Sequence, residues 1–448
     1  MSPALTVAGM LSRGASRADR RVRRLMIAAV ALAAFFLLGA GNLLAIRGTT
    51  TGSWAGLVTE EGLRGGTALA LALLVIPPLA LLHQAGRIAQ AIRERRLAAL
   101  RLAGATPQEA RLIAAAEALR VSVTGAVLGV VGYVACQQGA MAALSVRDTA
   151  RYAVPVWLVP LVAAAVAVAG TVTGLLAARH VVTSPLGVGR RAHRPPPRAV
   201  ALLPLGAGLI MLAAVSFLPE GFALSPQIAG AVLTVVGLMT AGGRLVWESA
   251  RLAARRARAP QTLLAARILQ DDPRPWGRAL SVVGLVVLFG TGAGTIQAEV
   301  LGDMLEEGSS NDPFWLVSFA LVDSALLLAL AVAATALVVH RAEWLLESRR
   351  SLAALAASGT PTAALRQTAQ RQALIAGAPV CAVAAFAGLL GTGTFAVAAS
   401  EPTAFVIAWP LGRAVLMALL GIGAAAAVTA ASRRLLTGAA SPDNLRTE

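Results

Sequence analysis

The sequence predicts an all-α fold: a polytopic membrane helix bundle of about ten transmembrane helices, in a 4+2+4 arrangement with two parallel repeats. Three observations predict it. Long apolar runs recur along the chain, arginine is confined almost entirely to alternate loops, and the chain resembles itself at an offset of about 255 residues.

The apolar runs set the element type. Of 448 residues, 57% are hydrophobic and 14% charged, and mean hydropathy is +0.72. Soluble domains carry roughly 25% charged residues. Spans are expected at 25–46, 67–83, 118–137, 156–177, 200–217, 228–246, 279–297, 319–339, 373–396 and 410–431. A segment in lipid must satisfy its own backbone polar groups, and runs of this length do so as helices rather than as barrel strands. The first run follows Arg20, Arg21, Arg23 and Arg24, as a signal peptide's would. It exceeds a signal core of about 7–15 residues and ends at Arg47 without a small-residue cleavage site, so it reads as a retained helix.

Charge sets the orientation. All 39 basic residues are Arg. With the N-terminus inside, cytoplasmic segments hold 34 of them, and the outer side keeps Arg47, Arg64, Arg147, Arg151 and Arg413. The positive-inside rule then places both termini in the cytoplasm of a multi-pass protein of the bacterial plasma membrane. The acids Glu299, Asp303, Glu306, Glu307 and Asp312 crowd one outer loop. The net charge of +17 therefore reflects topology, and no nucleic-acid partner is expected.

Several chemistries drop out. A Walker A loop needs a Lys on the phosphates, and this chain has none, so no ATPase site and no enzyme activity are expected. Cys136 and Cys381 both lie in apolar runs and imply neither a disulfide framework nor a zinc site. His83, His180, His193 and His340 form no metal spacing, and no catalytic residue is proposed. Asp323 is the acid well within a span, about one turn from its outer end, and is the one intramembrane polar candidate. Pro77-Pro78 should break the second span, and Pro379 sits in the ninth. Gly125/Gly129 and Gly170/Gly174 are small-residue pairs suited to close helix packing.

The repeat is carried by charged and Gly/Pro residues in order. Arg95-Arg96-Leu97-Ala98-Ala99-Leu100 returns as Arg349-Arg350-Ser351-Leu352-Ala353-Ala354-Leu355. Gly104-Ala105-Thr106-Pro107 returns as Gly359-Thr360-Pro361, and Ala118-Leu119 as Ala373-Leu374. Spans one to four match spans seven to ten, and an even-numbered insertion keeps both halves the same way up. Each half also opens with an amphipathic stretch, 5–24 and 262–269, expected to lie in the cytoplasmic interface; Asp272-Pro273 should stop the second.

The most informative segment runs from Arg93 to Arg111. It extends the second span into the cytoplasm, with Leu97, Leu100 and Leu102 as an apolar stripe beside Arg95, Arg96 and Arg101. Gly104 stops this helix, and Thr106-Pro107 starts the next, with Glu109 at the third helical position. A charged hairpin with an apolar edge suits a soluble partner.

This run resembles the signature of the FtsX-like permease family, close to R-R-x-E-[IL]-A-[LI]-L-R-A-[LI]-G-A-[ST]. The chain keeps the paired Arg, Leu97, Ala99, Leu100, Arg101, Gly104, Ala105 and Thr106, and lacks the Glu before the apolar pair. The second copy is weaker: Ala356 stands for Arg101, Ser358 for Ala103, and one residue is shifted before Leu352.

The resemblance implies an ABC-transporter permease whose loop between helices two and three docks on a separate ATPase subunit. Arg95, Arg96, Leu97, Leu100, Arg101, Gly104, Ala105, Thr106 and Pro107 would form the first contact. Arg349, Arg350, Leu352, Leu355, Gly359, Thr360 and Pro361 would form the second. Two loops imply two ATPase copies per chain. The chain itself would hold no cofactor, with ATP and Mg bound by the ATPase, and its other partner would be membrane lipid.

The implied organisation is a first repeat at 1–199 with coupling loop 84–117, a connector at 200–247, and a second repeat at 248–448 with coupling loop 340–372. The expected function is ATP-driven export of a lipophilic or amphipathic compound. The alternative is a non-transporting mechanotransmitter that activates an outer or membrane partner. The layout is similar to that of peptide-antibiotic permeases, but residues 298–318 leave room only for a short acidic loop where those carry a large outer domain. Residues 47–66 likewise cannot supply the domain that macrolide-exporter and lipoprotein-releasing branches carry after their first helix.

Overall fold

A computed structural model describes residues 17–46, 61–83, 85–86, 107–143, 149–183, 196–215, 217–218, 224–306, 313–398 and 404–439. These residues are helical almost throughout and, among them, contain no strand. The helices are α1 (Arg17–Ala45), α2 (Glu61–Leu73), α3 (Pro107–Ala143), α4 (Thr149–Tyr152), α5 (Leu158–Thr183), α6 (Leu203–Val215) and α7 (Leu224–Arg256). They continue with α8 (Pro260–Asp271), α9 (Pro273–Glu306), α10 (Pro313–Glu347), α11 (Arg349–Ala357), α12 (Thr362–Ala398), α13 (Ala404–Ala431) and α14 (Arg433–Ala439). Among the described residues, eight helices are long and apolar enough to cross a membrane, and two shorter apolar helices, Leu158–Val172 and Ala199–Val215, fall on the expected fourth and fifth spans. The protein is a membrane-embedded all-α bundle.

The repeat has a counterpart in the element bounds. Helices α3 and α12 are each 37 residues long, and both their starts and their ends are 255 residues apart. The chain divides into two compact units: residues 1–190 with 313–318, and residues 191–312 with 319–448. The connector groups with the second unit.

In the first unit, α1 is the central helix, and its Ala29, Ala33, Ala34 and Leu38 are fully buried. Helix α3 lies directly on it. A Cβ at Gly125 would stand 2.6 Å from Val30 Cβ and 2.8 Å from the Ile27 carbonyl, and one at Gly129 would strike the Ala31 carbonyl. The Gly125/Gly129 pair therefore permits backbone-to-backbone approach, which is how helices associate where lipid removes the hydrophobic drive. Gly170 of α5 sits against Ser122 of α3 in the same manner. At the C-terminal end of α1, the Asn42 amide donates to the Tyr133 hydroxyl at 3.1 Å and to the Tyr152 carbonyl at 3.3 Å. Arg64 is buried and donates to the Ile46 carbonyl at 3.1 Å, so this arginine, expected in an outer loop, holds the end of α1 from within a helix.

The proline pair breaks the second span slightly upstream of itself. Helix α2 ends at Leu73, residues 74–75 form a turn, and helix resumes at 76. Pro77 and Pro78 have no N–H, so the carbonyls four residues back, at 73 and 74, lose their helical partners. Val75 N–H turns instead to Ala72 at 3.2 Å.

In the second unit, α9 is the buried centre, with Ala279, Leu280, Val282 and Val283 fully enclosed. It crosses α7 where Gly242 meets Gly277, and Ser281 Oγ donates across this crossing to the Leu238 carbonyl at 2.7 Å. Pro379 lies inside α12 without ending it. Helix α8 ends at Asp271 before Asp272-Pro273, as expected. Its Ala265, Ala266 and Leu269 are buried within the unit, and Arg371 of α12 donates to Thr262. The first amphipathic stretch falls partly outside the described residues; from Arg17 onward it runs without a break into α1.

Candidate functional site

Residues Arg95, Arg96, Leu97, Leu100, Arg101, Gly104, Ala105 and Thr106 lie outside the described residues. Pro107 is the first residue of α3, the position where its missing N–H costs nothing and its fixed φ suits a helix start. The second hairpin is described in full, and its geometry follows from its sequence.

Arg349 and Arg350 open α11, a nine-residue helix that Gly359 closes. Gly359 has φ +92, a left-handed conformation that glycine adopts without a Cβ clash. Its N–H reaches the Ala356 carbonyl at 3.1 Å, and Thr360 N–H reaches the Leu355 carbonyl at 3.1 Å. This pair of bonds is a Schellman closure, satisfying carbonyls the helix end would leave bare. After Pro361 the chain enters α12, and the Pro361 carbonyl accepts from Ala364 and Leu365 N–H at 2.9 and 3.3 Å.

The apolar edge of this hairpin is covered by the chain itself. Leu352 is 5% exposed and forms a buried cluster with Leu345 of α10, Leu365 of α12 and Leu436 of α14. Leu355 and Ala356 pack against that cluster and are half-buried. Arg350, Ala354, Ala357, Gly359 and Pro361 are exposed, whereas Arg349 and Thr360 are half-buried. The hairpin is thus a small-residue rim fixed to the bundle by leucines.

Asp323 stands apart from the hairpin. It lies on α10 and forms an ion pair with Arg413 of α13 through both carboxylate oxygens; one of these bonds is 3.3 Å. Arg413 Nε also donates to the Gly290 carbonyl of α9 at 3.3 Å, so one guanidinium ties three helices. The tenth span, expected at 410–431, begins earlier, at Ala404, so Arg413 lies about two and a half turns inside α13.

Sequence reasoning missed a second polar cluster altogether. Arg341, near the end of α10, is 1% exposed. Its guanidinium lies over the rings of Trp344 and Trp276, at 4.6 and 5.5 Å, and donates to Gln372 Oε1 at 3.0 Å. Cys136 and Cys381 are both free thiols, and among the described residues no group of three His, Cys, Asp or Glu could hold a metal ion.

A family model described as FtsX-like permease C-terminal matches residues 68–186. This match contains the whole first loop, from Arg95 through Pro107, together with helices α3 and α5. Over these residues the chain is similar to the FtsX-like permease family. No curated protein matches it. This similarity supports a membrane component of the ABC-transporter permease type; members of that family generally pair with an ABC ATPase and are not enzymes themselves.

Proposed function

We propose that this FtsX-like permease couples ATP hydrolysis by a separate ABC ATPase to export of a lipophilic or amphipathic compound across a bacterial plasma membrane. The observation that carries this reading is the family match over a segment containing the Arg95–Pro107 run, with a second hairpin of the same sequence order at Arg349–Pro361. ATP and Mg belong to the ATPase, since no Lys exists here to hold a phosphate in a P-loop.

The two hairpins divide the work of docking. In the second, Leu352 and Leu365 anchor the hairpin to the bundle, so a stroke applied to its rim moves α10 and α12 together. The exposed rim of Arg350, Ala354, Ala357 and Pro361 is the surface offered to the partner. The first supplies the added charge of Arg101.

The test is co-expression with a candidate ABC ATPase subunit from the same genome, followed by native mass measurement of the detergent-extracted complex. Two ATPase copies per permease chain are expected. A chain that purifies without any ATPase, or that hydrolyses ATP alone, contradicts the reading.

A further inference from the structure

We infer that the C-terminal end of α7 is a binding surface for the headgroups of anionic phospholipids, built on Arg244, Trp247, Arg251 and Arg255. The inference does not rest on ATPase coupling.

Helix α7 is longer than a membrane requires. Its 33 residues extend about 50 Å, against a hydrocarbon core of about 30 Å. Ile228, Val232 and Val236 are exposed and recur every fourth residue, so they form one apolar stripe. The stripe runs on through exposed Thr240 to Arg244, and Trp247, Arg251 and Arg255 prolong it at helical spacing. Trp247 stands about 28 Å along the axis from Ile228. A face that meets acyl chains over its first turns therefore carries an indole at the far boundary of the core, the depth at which Trp settles. Arg251 and Arg255 follow about 6 and 12 Å beyond it, among the headgroups.

The side chains on this face are held in place by one another. The guanidinium carbons of Arg244 and Arg251 both lie over the Trp247 ring, 4.6 and 5.4 Å from its centroid, in cation–π contact. Arg244 also donates to Glu248 and, at 2.9 Å, to the Pro197 carbonyl. With its side chain 17% exposed it is the fixed post of the group. The Arg251 side chain is 45% exposed, its guanidinium 3.8 Å from the Glu248 carboxylate, and Arg255 is exposed. These two present planar donor forks, which match the oxygens of a phosphate.

The balance of charge favours an anion. Residues 244–258 contain five Arg with Glu248 as their one acid, and through Arg278 the count becomes eight Arg against Glu248, Asp271 and Asp272. Leu252, next to Arg251 and one turn before Arg256, is 47% exposed. An apolar side chain among guanidinium groups suits the boundary between headgroups and acyl chains. An anionic lipid meets both demands: its phosphate answers Arg251 and Arg255, and its acyl chains answer Leu252 and the stripe from Ile228 to Val236. The positive-inside rule assigns this end to the cytoplasmic leaflet, whose anionic lipids attract basic segments beside a span.

The test uses the full chain, purified in detergent and titrated with phosphatidylglycerol or phosphatidylcholine, with bound lipid counted by native mass spectrometry. Wild type should retain phosphatidylglycerol in preference to phosphatidylcholine. Arg251→Gln/Arg255→Gln should lower phosphatidylglycerol retention about tenfold, equivalent to about 1.4 kcal/mol. Glu248→Gln takes the acid off the surface and should raise retention several-fold, a gain that a misfolded chain does not give. Arg350→Gln/Arg366→Gln removes the same charge from exposed positions on α11 and α12 and should leave retention near wild type. Equal retention of both lipids by wild type, unchanged retention in either of the first two variants, or an equal loss in the third, overturns the site. Displacement of bound phosphatidylglycerol by an equal concentration of inorganic phosphate overturns the lipid assignment.

Discussion

Arg413 of α13 donates from both ends of its guanidinium to the two carboxylate oxygens of Asp323 on α10, ninety residues away in sequence. The partners are unequally buried, at 11% exposure for Arg413 and 39% for Asp323. Removing the acid strands the more deeply buried charge. Asp323→Leu should therefore lower thermal stability in detergent more than Arg413→Leu, because an uncompensated buried ion costs more than a partly solvated one. The double variant should recover part of the loss, with a coupling of about 0.5–3 kcal/mol. Strict additivity in that cycle would mean the pair does not hold these helices together.

Helix α3 should tolerate a methyl group at one glycine and not at another one turn away. A Cβ at Gly129 runs into the Ala31 carbonyl of α1, whereas one at Gly132 meets nothing within 4 Å. Gly129→Ala should destabilise by about 1–3 kcal/mol, as overpacked cores do, and Gly132→Ala should be neutral or slightly stabilising. Thermal unfolding in matched detergent checks both. Equal effects would show that α1 and α3 are not in backbone contact.

Gly359 should be replaceable only at a conformational cost. The space around its absent Cβ is empty, so Gly359→Ala meets no steric neighbour and bears only the left-handed penalty of about 1–3 kcal/mol. Hydrogen exchange of amides in α11 should accelerate about tenfold or more, since each 1.4 kcal/mol is a factor of ten. Unchanged protection would mean that the Schellman closure does not hold the hairpin.

The two coupling segments should respond unequally to charge. Arg101→Glu should weaken ATPase co-purification more than Ala354→Glu, because a charge-assisted contact is worth roughly 1.5–3 kcal/mol. Ala354 is the appropriate comparison in the second hairpin because it is exposed; Ala356, which aligns with Arg101, packs against the Leu352 cluster. Equal losses from both changes would make the hairpins equivalent.

What the sequence made legible was local. Gly359 as a stop, Pro107 as a start and Asp272-Pro273 as a break are set by backbone chemistry within a few residues. The Gly125/Gly129 pair was legible because small-residue spacing has one dominant use in lipid. Helix ends were less so, because hydropathy marks the hydrocarbon core while α3 continues beyond it at both ends, from Pro107 to Ala143. Non-local pairs were not legible. Nothing near Asp323 announces Arg413, and Leu352 reads as part of a docking contact until Leu436, eighty-four residues later, is found packed against it. The Arg341 cluster was not legible either, because Gln372 and Trp276 meet it from other helices.

Whether the loop between the second and third spans carries an ATPase is decided most directly by recruitment of that ATPase to membrane-inserted permease. The measurement is co-purification of a co-expressed candidate ABC ATPase with wild type and with Leu97→Asp/Leu100→Asp/Arg101→Glu, at matched levels of inserted chain. The variant should lose most of the bound ATPase and all ATP-dependent transport while inserting normally. Full retention of the ATPase by the variant would contradict docking through this loop.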